Sequence, residues 1–218
     1  GEGNYGRRGL VVGFKFIRTA LIVTASLFSM SPAVVVADDS AAWVKAYDKD
    51  GRRYIPVALW NGGAWDGQHV ITLPTVDLTF GRRDNKRIVG PRPWTNEASG
   101  TKHQIYERHN RRKVQYFAVN RKKDGLGRVY DNRYGRYCPD EVKFPLGWWK
   151  QGEKRVYEID CDSGKRRIEV TINQLNFTHD GVPHSLEFRW KLGDGSQRGG
   201  DNVYTYSPGM GLVDVTQN

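Results

Sequence analysis

The sequence lacks most of the patterns that identify a function. It has no G-x-S-x-G motif, no Gly-rich phosphate-binding loop before a helix and no histidine pair at a zinc-binding spacing. Its five histidines are widely spread, and neither of its two cysteines stands in a C-x-x-C pair. We therefore expect no metal and no cofactor.

Beyond residue 37 the chain also has no apolar run long enough to cross a membrane. Within residues 1–37, four basic residues precede an uncharged stretch, residues 20–30, and small residues follow at 33–37. This layout predicts a secretory signal, residues 1–37, cleaved after Ala37. A retained anchor is the alternative. We expect an exported protein, in the periplasm of a Gram-negative bacterium, that meets the membrane only through this signal before cleavage.

The two cysteines, Cys138 and Cys161, are predicted to form a disulfide. Two cysteines in an oxidising compartment usually pair. Closing a loop of this length is worth about 3 kcal/mol in the loop-entropy estimate.

Strand patterns dominate the rest of the chain, and no segment there has helical periodicity. The last third is the clearest: Glu153–Asp160, Lys165–Phe177 and Val182–Leu192 read as strands joined by turns. In the second of these strands the apolar residues stand at even positions up to Ile172 and at odd positions from Leu175 onward. This change predicts a bulge near Asn173 or Gln174. We predict that residues 38–218 form a single all-β domain. It would be an antiparallel β-sandwich or barrel-like domain with a C-terminal meander, preceded by an N-terminal helical signal segment.

The first part of this domain is less regular. Arg52–Trp60 is predicted to be the second strand of a hairpin, and Pro74 to mark a bulge or an edge strand. Residues 81–102, with two prolines, are predicted to be a loop. His103–Arg108 and Lys113–Asn120 are predicted to be short strands.

Positive charge is concentrated in the middle of the chain. Residues 82–137 contain 16 Lys and Arg against 5 Asp and Glu, a net charge of +11, whereas residues 38–81 and 138–218 each have a net charge of −2. Such asymmetry favours an anionic partner, although the charges could also lie in solvated turns. Export argues against nucleic acid.

Aromatic residues cluster beside polar ones in three places: residues 60–67, residues 145–150, and the Tyr/Arg alternation of 128–137. Aromatic rings with nearby amide, carboxylate or guanidinium groups suit sugar rings. The alternative is that these rings close the open ends of a sandwich. Since neighbouring strand residues point to opposite faces, one of Trp148 and Trp149 should be exposed.

These patterns favour a non-enzymatic, envelope-associated binding module for a glycan or another anionic polymer. The predicted ligand-binding residues are basic or aromatic: Trp65, Arg108, Arg111, Arg112, Lys122, Lys123, Tyr134, Trp148 and Trp149. One alternative is an envelope polysaccharide hydrolase with Asp66 or Glu107 as acid/base, for which a strongly raised carboxyl pKa in a cleft would be the sign. Another is a structural or assembly partner that uses the sheet edges.

Overall fold

Antiparallel strands make up most of the described chain. The computed structural model describes residues 50–62, 71–77, 82–110 and 113–218, with side chains for 50–62, 88–109 and 113–218. All of these residues belong to one compact unit. None of the sheets in these ranges is closed. The predicted signal segment lies outside the described residues.

No helix in the described ranges combines the length and the apolar character that crossing a membrane requires.

The first described elements are a short strand, β1 (Arg53–Ile55), and one helical turn, α1 (Val57–Asn61). The prediction of a continuous strand over Arg52–Trp60 is therefore wrong in its second half. Pro56 precedes the helix and has no N–H to donate to a neighbouring strand. Gly62 ends the turn in the left-handed conformation, with φ of 70°.

The largest sheet has seven strands, and the order β2-β3-β4-β5-β6-β7 follows the chain, with β8 also paired to β6. Its strands are β2 (Ile71–Asp77), β3 (Arg82–Thr95), β4 (Lys102–Asn110), β5 (Lys113–Val119), β6 (Gly125–Asp131), β7 (Arg136–Tyr137) and β8 (Phe144–Pro145). Among the described strands β2 lies at the edge of this sheet, so Pro74 stands in an edge strand there, as the sequence predicts.

Strand β3 occupies most of the region predicted to be a loop, so that prediction is wrong. β2 pairs only with its first half, up to Ile88, while β4 pairs with both halves across a register shift between Val89 and Arg92. The second half, with Pro91 and Pro93, is therefore free of a partner on one side among the described residues. Proline is tolerated at such an edge, because no ladder hydrogen bond is lost there.

The second large sheet is a five-stranded meander in chain order, as the sequence predicts. It follows β9 (Gly147–Trp149), which pairs with β1. The meander consists of β10 (Lys154–Cys161), β11 (Gly164–His179), β12 (Val182–Leu192), β13 (Asp201–Ser207) and β14 (Gly211–Gln217). The predicted bulge is confirmed by a register shift between Ile172 and Gln174.

One apolar cluster takes side chains from both large sheets, which is how they are held together. From the first it takes Ile88, Phe117 and Leu126, and from the second a larger group that includes Val170 and Phe188. Burying each such side chain contributes roughly 1.5–3 kcal/mol. The inward face predicted for β12 is confirmed, since Leu186, Phe188 and Trp190 are fully buried or nearly so.

The segment from Cys138 to Leu146 lies along β6 and joins the two sheets at one end. A Cβ on Gly127 would stand 1.4 Å from the backbone oxygen of Glu141, so only glycine lets this segment approach β6. The predicted disulfide between Cys138 and Cys161 is present and ties the segment to the end of β10. The segment from Cys138 to Leu146, held in this way, positions residues on both faces of the seven-stranded sheet.

Candidate functional site

Five ring side chains cross the outward face of the seven-stranded sheet, one from each of five consecutive strands, β3 to β7. Antiparallel register sets the first pair side by side, Trp94 with His103, and also sets Tyr130 between Tyr116 and Tyr137. All five rings are partly exposed. We call this set the aromatic face: Trp94, His103, Tyr116, Tyr130 and Tyr137.

Trp94 is the centre of the aromatic face. Its ring centroid lies 5.1 Å from that of Tyr116, 5.6 Å from that of Tyr130 and 6.3 Å from that of Tyr137. It stacks on the His103 ring at 5.9 Å. Ring pairs at such spacings add about 0.5–1.5 kcal/mol each beyond area burial, so the rings hold one another in place.

Beneath the rings lies a small apolar layer that is separate from the main core. Ile105, Ala118 and Val129 are buried there, with Trp94 and Tyr116 packed against them. Residues two apart on a strand share a face, so the alternation of side chains along each strand places these apolar residues on the same side of the sheet as the rings. The rings therefore rest on a fixed support and need little ordering when a ligand binds.

A pocket of about 790 Å³ adjoins one end of the aromatic face. His103 and Tyr137 belong to both, and the His103 Nε2 and Tyr137 hydroxyl are 2.8 Å apart. The other polar side chains of its wall include Lys102, Gln104, Arg121 and Asp140. The pocket therefore places hydrogen-bonding groups directly beside stacked rings.

An ion pair closes one wall of the pocket. Asp140 accepts hydrogen bonds from the Nε of Arg121 at 2.8 Å and from its backbone N–H at 3.1 Å, and the Nη2 of Arg121 also donates to it. Burial by itself would raise the pKa of Asp140, but these hydrogen bonds outweigh it and lower that pKa. Asp140 is therefore a fixed negative acceptor at neutral pH.

His103 is neutral at pH 7. Burial lowers its pKa from the ordinary value of 6.5, and the nearby charge of Asp140 offsets only part of this. A neutral imidazole beside the Tyr137 hydroxyl can donate or accept a hydrogen bond, depending on its tautomer.

At the opposite end of the face, Glu107 lies between two basic side chains. Arg92 donates to Glu107 Oε1 through its Nε at 2.7 Å, and His109 Nε2 is 2.9 Å from Oε2. Burial alone would raise the pKa of Glu107, but the hydrogen bonds from Arg92 and His109 give it a lowered pKa. Arg92 also lies over the Tyr116 ring, 5.4 Å from its centroid. This end of the face is thus charged but internally paired.

The residues that the sequence predicts as ligand-binding do not come together in one place. Arg108 lies on the inward face, where its guanidinium covers the Phe117 ring at 4.4 Å and donates to Gln115. Burial lowers the pKa of Arg108 to about 10. Lys122 and Lys123 are exposed in the turn between β5 and β6. Four of the predicted site residues lie outside the described residues or their side chains: Trp65, Asp66, Arg111 and Arg112.

The predicted aromatic residues are also spread apart. Tyr134 is 64% exposed in the turn between β6 and β7. Trp148 is 40% exposed and contacts Tyr54 edge-on, whereas Trp149 is fully buried and donates to the Leu146 carbonyl. This confirms the prediction that one of the adjacent tryptophans is exposed. Trp149 itself is part of the core and presents no surface to a ligand.

Sequence reasoning missed most of the aromatic face. Trp94 falls in the region predicted to be a loop, so no strand face was assigned to it. The alternation of His103, Ile105, Glu107 and His109 could have marked one face of β4. Only strand register, however, places rings from five strands side by side.

The chemistry of the face is that of stacking and hydrogen bonding. In the described ranges, no three His, Cys, Asp or Glu side chains come close enough together to hold a metal ion. The chain was compared with models of protein families, with curated proteins and with solved structures, and none of these matches it.

Proposed function

We propose that the protein is a non-enzymatic, exported binding module that holds a glycan against the aromatic face. The observation that carries this proposal is the row of five rings, one per strand, that ends in a pocket with hydrogen-bonding side chains in its wall. The disulfide fits an oxidising compartment, in which envelope glycans are encountered.

Sugar rings match this surface in both shape and chemistry. The C–H face of a pyranose stacks on an aromatic ring, and its hydroxyls need directional donors and acceptors. Trp94 and Tyr130 would supply the stacking surface. The Tyr137 hydroxyl, the Gln104 amide and the Asp140 carboxylate would supply the hydrogen bonds.

Charge favours a glycan that carries acidic groups. Lys102 and Arg121 both line the pocket, where Lys102 is exposed and the side chain of Arg121 is 88% exposed, so the two cations exceed the single negative charge of Asp140 at this wall. Both belong to the strongly basic segment 82–137. Such cations raise the local concentration of an anionic polymer and speed its association.

The environment of Glu107 favours binding over hydrolysis. A glycosidase acid must keep its proton near neutral pH, which requires a raised pKa. Glu107 has the opposite environment, since Arg92 and His109 stabilise its ionised form. It is therefore suited to fixing the position of Arg92 rather than to donating a proton. Asp66, the other carboxylate of the hydrolase alternative, lies outside the described residues.

The test is affinity electrophoresis and calorimetry with three soluble polymers: a neutral polysaccharide, a uronate-bearing polysaccharide and lipopolysaccharide. We expect saturable binding, strongest for an acidic polymer. Trp94→Ala should weaken it at least tenfold, since it removes the ring at the centre of the face. Tyr137→Phe should weaken it several-fold, because it removes only a hydroxyl.

Trp148→Ala is the matched control, since it also removes a partly exposed tryptophan but one that lies off the aromatic face. It should leave binding unchanged. Near-ultraviolet circular dichroism and the Tm would separate lost binding from lost folding. Absence of binding to all three polymers, or equal binding by the Trp94 and Trp148 variants, would rule the proposal out.

A further inference from the structure

The inward side of the seven-stranded sheet carries an unusual excess of buried positive charge. Near the disulfide, five cationic side chains surround two carboxylates. We call this set the basic cluster: Arg108, Arg128, Arg136, Lys143 and Arg166, with Asp131 and Glu141. With Lys143 protonated its net charge is +3.

Glu141 lies at the centre of the cluster and is fully buried, because its backbone passes directly over Gly127. Its Oε2 is 3.7 Å from Arg128 Nε, and its Oε1 is 3.7 Å from Lys143 Nζ. Arg166 Nη1 is 3.9 Å from the same Oε1. These distances exceed those of direct hydrogen bonds, and both oxygens have no hydrogen-bond partner among the described residues.

Asp131, in contrast, accepts hydrogen bonds at both of its oxygens. It accepts from Gln115 Nε2 at 2.7 Å and from Arg128 Nη1 at 3.1 Å, and the backbone N–H of Arg133 donates to its other oxygen at 3.0 Å. It therefore leaves little for the remaining cations. Two guanidinium nitrogens that are closed off from the surface, Arg128 Nε and Arg136 Nη2, donate to no acceptor in the described part of the chain.

The cluster is deep but not sealed. The carboxylates are 0% and 1% exposed, whereas the side chains of Arg128, Arg166 and Lys143 are 19%, 22% and 25% exposed. Lys143 also lies over the Trp190 ring, with its Nζ 3.2 Å from the centroid. Parts of these three cations thus reach solvent, whereas Arg128 Nε and Arg136 Nη2 do not, so a solute that binds here must displace side chains to reach those two nitrogens.

Buried cations without matching anions are costly, since each loses its hydration. We propose that the basic cluster binds a small oxyanion, phosphate or sulfate, held by Arg128, Arg136 and Lys143 between the two sheets. Oxyanion oxygens accept well from guanidinium and ammonium donors, and planar guanidinium groups match them in geometry. The Glu141 carboxylate would offset the repulsion between the cations and so keep them in position.

This inference concerns the opposite side of the sheet from the aromatic face and does not depend on glycan binding. Inorganic phosphate and a phosphate group on a sugar offer the same chemistry. A free anion needs less room than a phosphosugar, whose ring would have to stay outside the cluster. Comparing inorganic phosphate, sulfate and a hexose phosphate therefore distinguishes the sources.

Protonation offers a second signature of the site. Burial lowers the pKa of Lys143 to about 7, against the opposing effect of Glu141. An anion beside the ammonium group favours its protonated form. Binding of sulfate, which does not itself titrate at pH 7.5, should therefore take up protons, and the measured enthalpy should change with the ionisation enthalpy of the buffer.

The experiment is isothermal titration of the full chain at pH 7.5 with each of the three anions, at constant ionic strength set with sodium chloride. We expect one saturable site for phosphate or sulfate. Arg136→Gln and Lys143→Met should each weaken binding at least tenfold, and Lys143→Met should also remove the proton uptake. Arg198→Gln, which loses the same charge from an exposed loop, should bind as the unaltered chain does.

Both cluster variants should fold, because each removes one cation from a set that has too many; the Tm without anion checks this. Saturable binding that both weaken supports the proposal. Absence of saturable binding to all three anions, or undiminished binding by a folded Arg136→Gln or Lys143→Met chain, overturns it. Glycan binding through the aromatic face would stand or fall separately, since none of these substitutions touches a ring of that face.

Discussion

The two faces of the seven-stranded sheet both depart from the usual arrangement, in which the packed face is apolar and the other face is polar. The outward face carries aromatic rings on a small apolar layer, and its charged groups are paired at hydrogen-bond distance, as between Arg92 and Glu107. The inward face adjoins the main core, yet at one end it carries the basic cluster, in which Glu141 meets its cations only at 3.7–3.9 Å. The outward face is therefore mainly aromatic, and one end of the inward face is mainly cationic.

This difference suggests that the two faces have separate roles. A contiguous set of partly exposed rings on a sheet face is typical of a surface that binds a partner. A buried excess of charge is costly unless something compensates for it. Four predictions test this difference between the faces, in order of decreasing effect.

The largest difference should come from the same substitution on the two faces. Glu141→Gln removes the central carboxylate from buried cations and should lower the free energy of unfolding by about 3–5 kcal/mol. Glu107→Gln, on the outward face, should lower it by about 1 kcal/mol or less, because Arg92 is partly exposed there and water replaces the carboxylate. Urea unfolding of both variants measures this. Equal losses would contradict the contrast between the faces.

Removing the disulfide should affect both faces together. Cys138→Ser with Cys161→Ser should lower the free energy of unfolding by about 3 kcal/mol, since a loop of this size is no longer closed in the unfolded chain. Tyr137, on the aromatic face, and Glu141 flank Cys138, so glycan and anion binding should both weaken. Unfolding and titration of the oxidised and the substituted chains test this. Loss of only one activity would show that the faces are positioned independently.

The pH dependence of stability should report on the inward face. Below pH 7 Lys143 is protonated in both states. Between about 7 and its ordinary value of 10.5 the unfolded chain holds a proton that the folded chain does not, so the free energy of unfolding should rise with pH. The slope should approach about 1 kcal/mol per pH unit between pH 7.5 and 9.5.

Lys143→Met should flatten this slope, which urea unfolding across the same pH range would measure. Burial raises the pKa of Tyr206, so the folded chain keeps that proton while the unfolded chain loses it, and stability should fall again above pH 10. A slope equal in both chains between pH 7.5 and 9.5 would exclude Lys143 as its source.

The smallest effect should come from the most exposed ring that the sequence predicts as a ligand site. Tyr134→Ala should change glycan affinity less than twofold, because this exposed side chain projects from a turn and its ring lies against the neighbouring Arg133. The same titration as for Trp94→Ala gives the comparison. A loss of affinity as large as that of Trp94→Ala would show that the glycan binds at the turns rather than at the aromatic face.

Much of the five-stranded sheet could be predicted because its strands alternate cleanly. Leu186, Phe188 and Trp190 show the period of two, and the change of parity after Ile172 indicates the bulge that the register shift confirms. The disulfide was predictable because only two cysteines are present.

The candidate site was predictable only in kind. The sequence indicated that basic and aromatic residues of the segment 82–137 bind a ligand. The two proposed sites take most of their residues from this segment, but mainly other residues than those predicted. Arg108 lies on the inward side, and Trp94 lies in a strand whose two prolines, Pro91 and Pro93, favour the prediction of a loop. Pairing with β4 outweighs the local preference of those prolines, which sequence propensity cannot anticipate.

The strand content, the meander, the disulfide and the surplus of positive charge follow from the sequence alone, because each depends on local alternation or on composition. Which rings lie side by side, and which cations share a buried carboxylate, is set by the tertiary fold. Both depend on strand register and on the close passage of the Cys138–Leu146 segment over Gly127, and these are set by contacts between residues far apart in the chain.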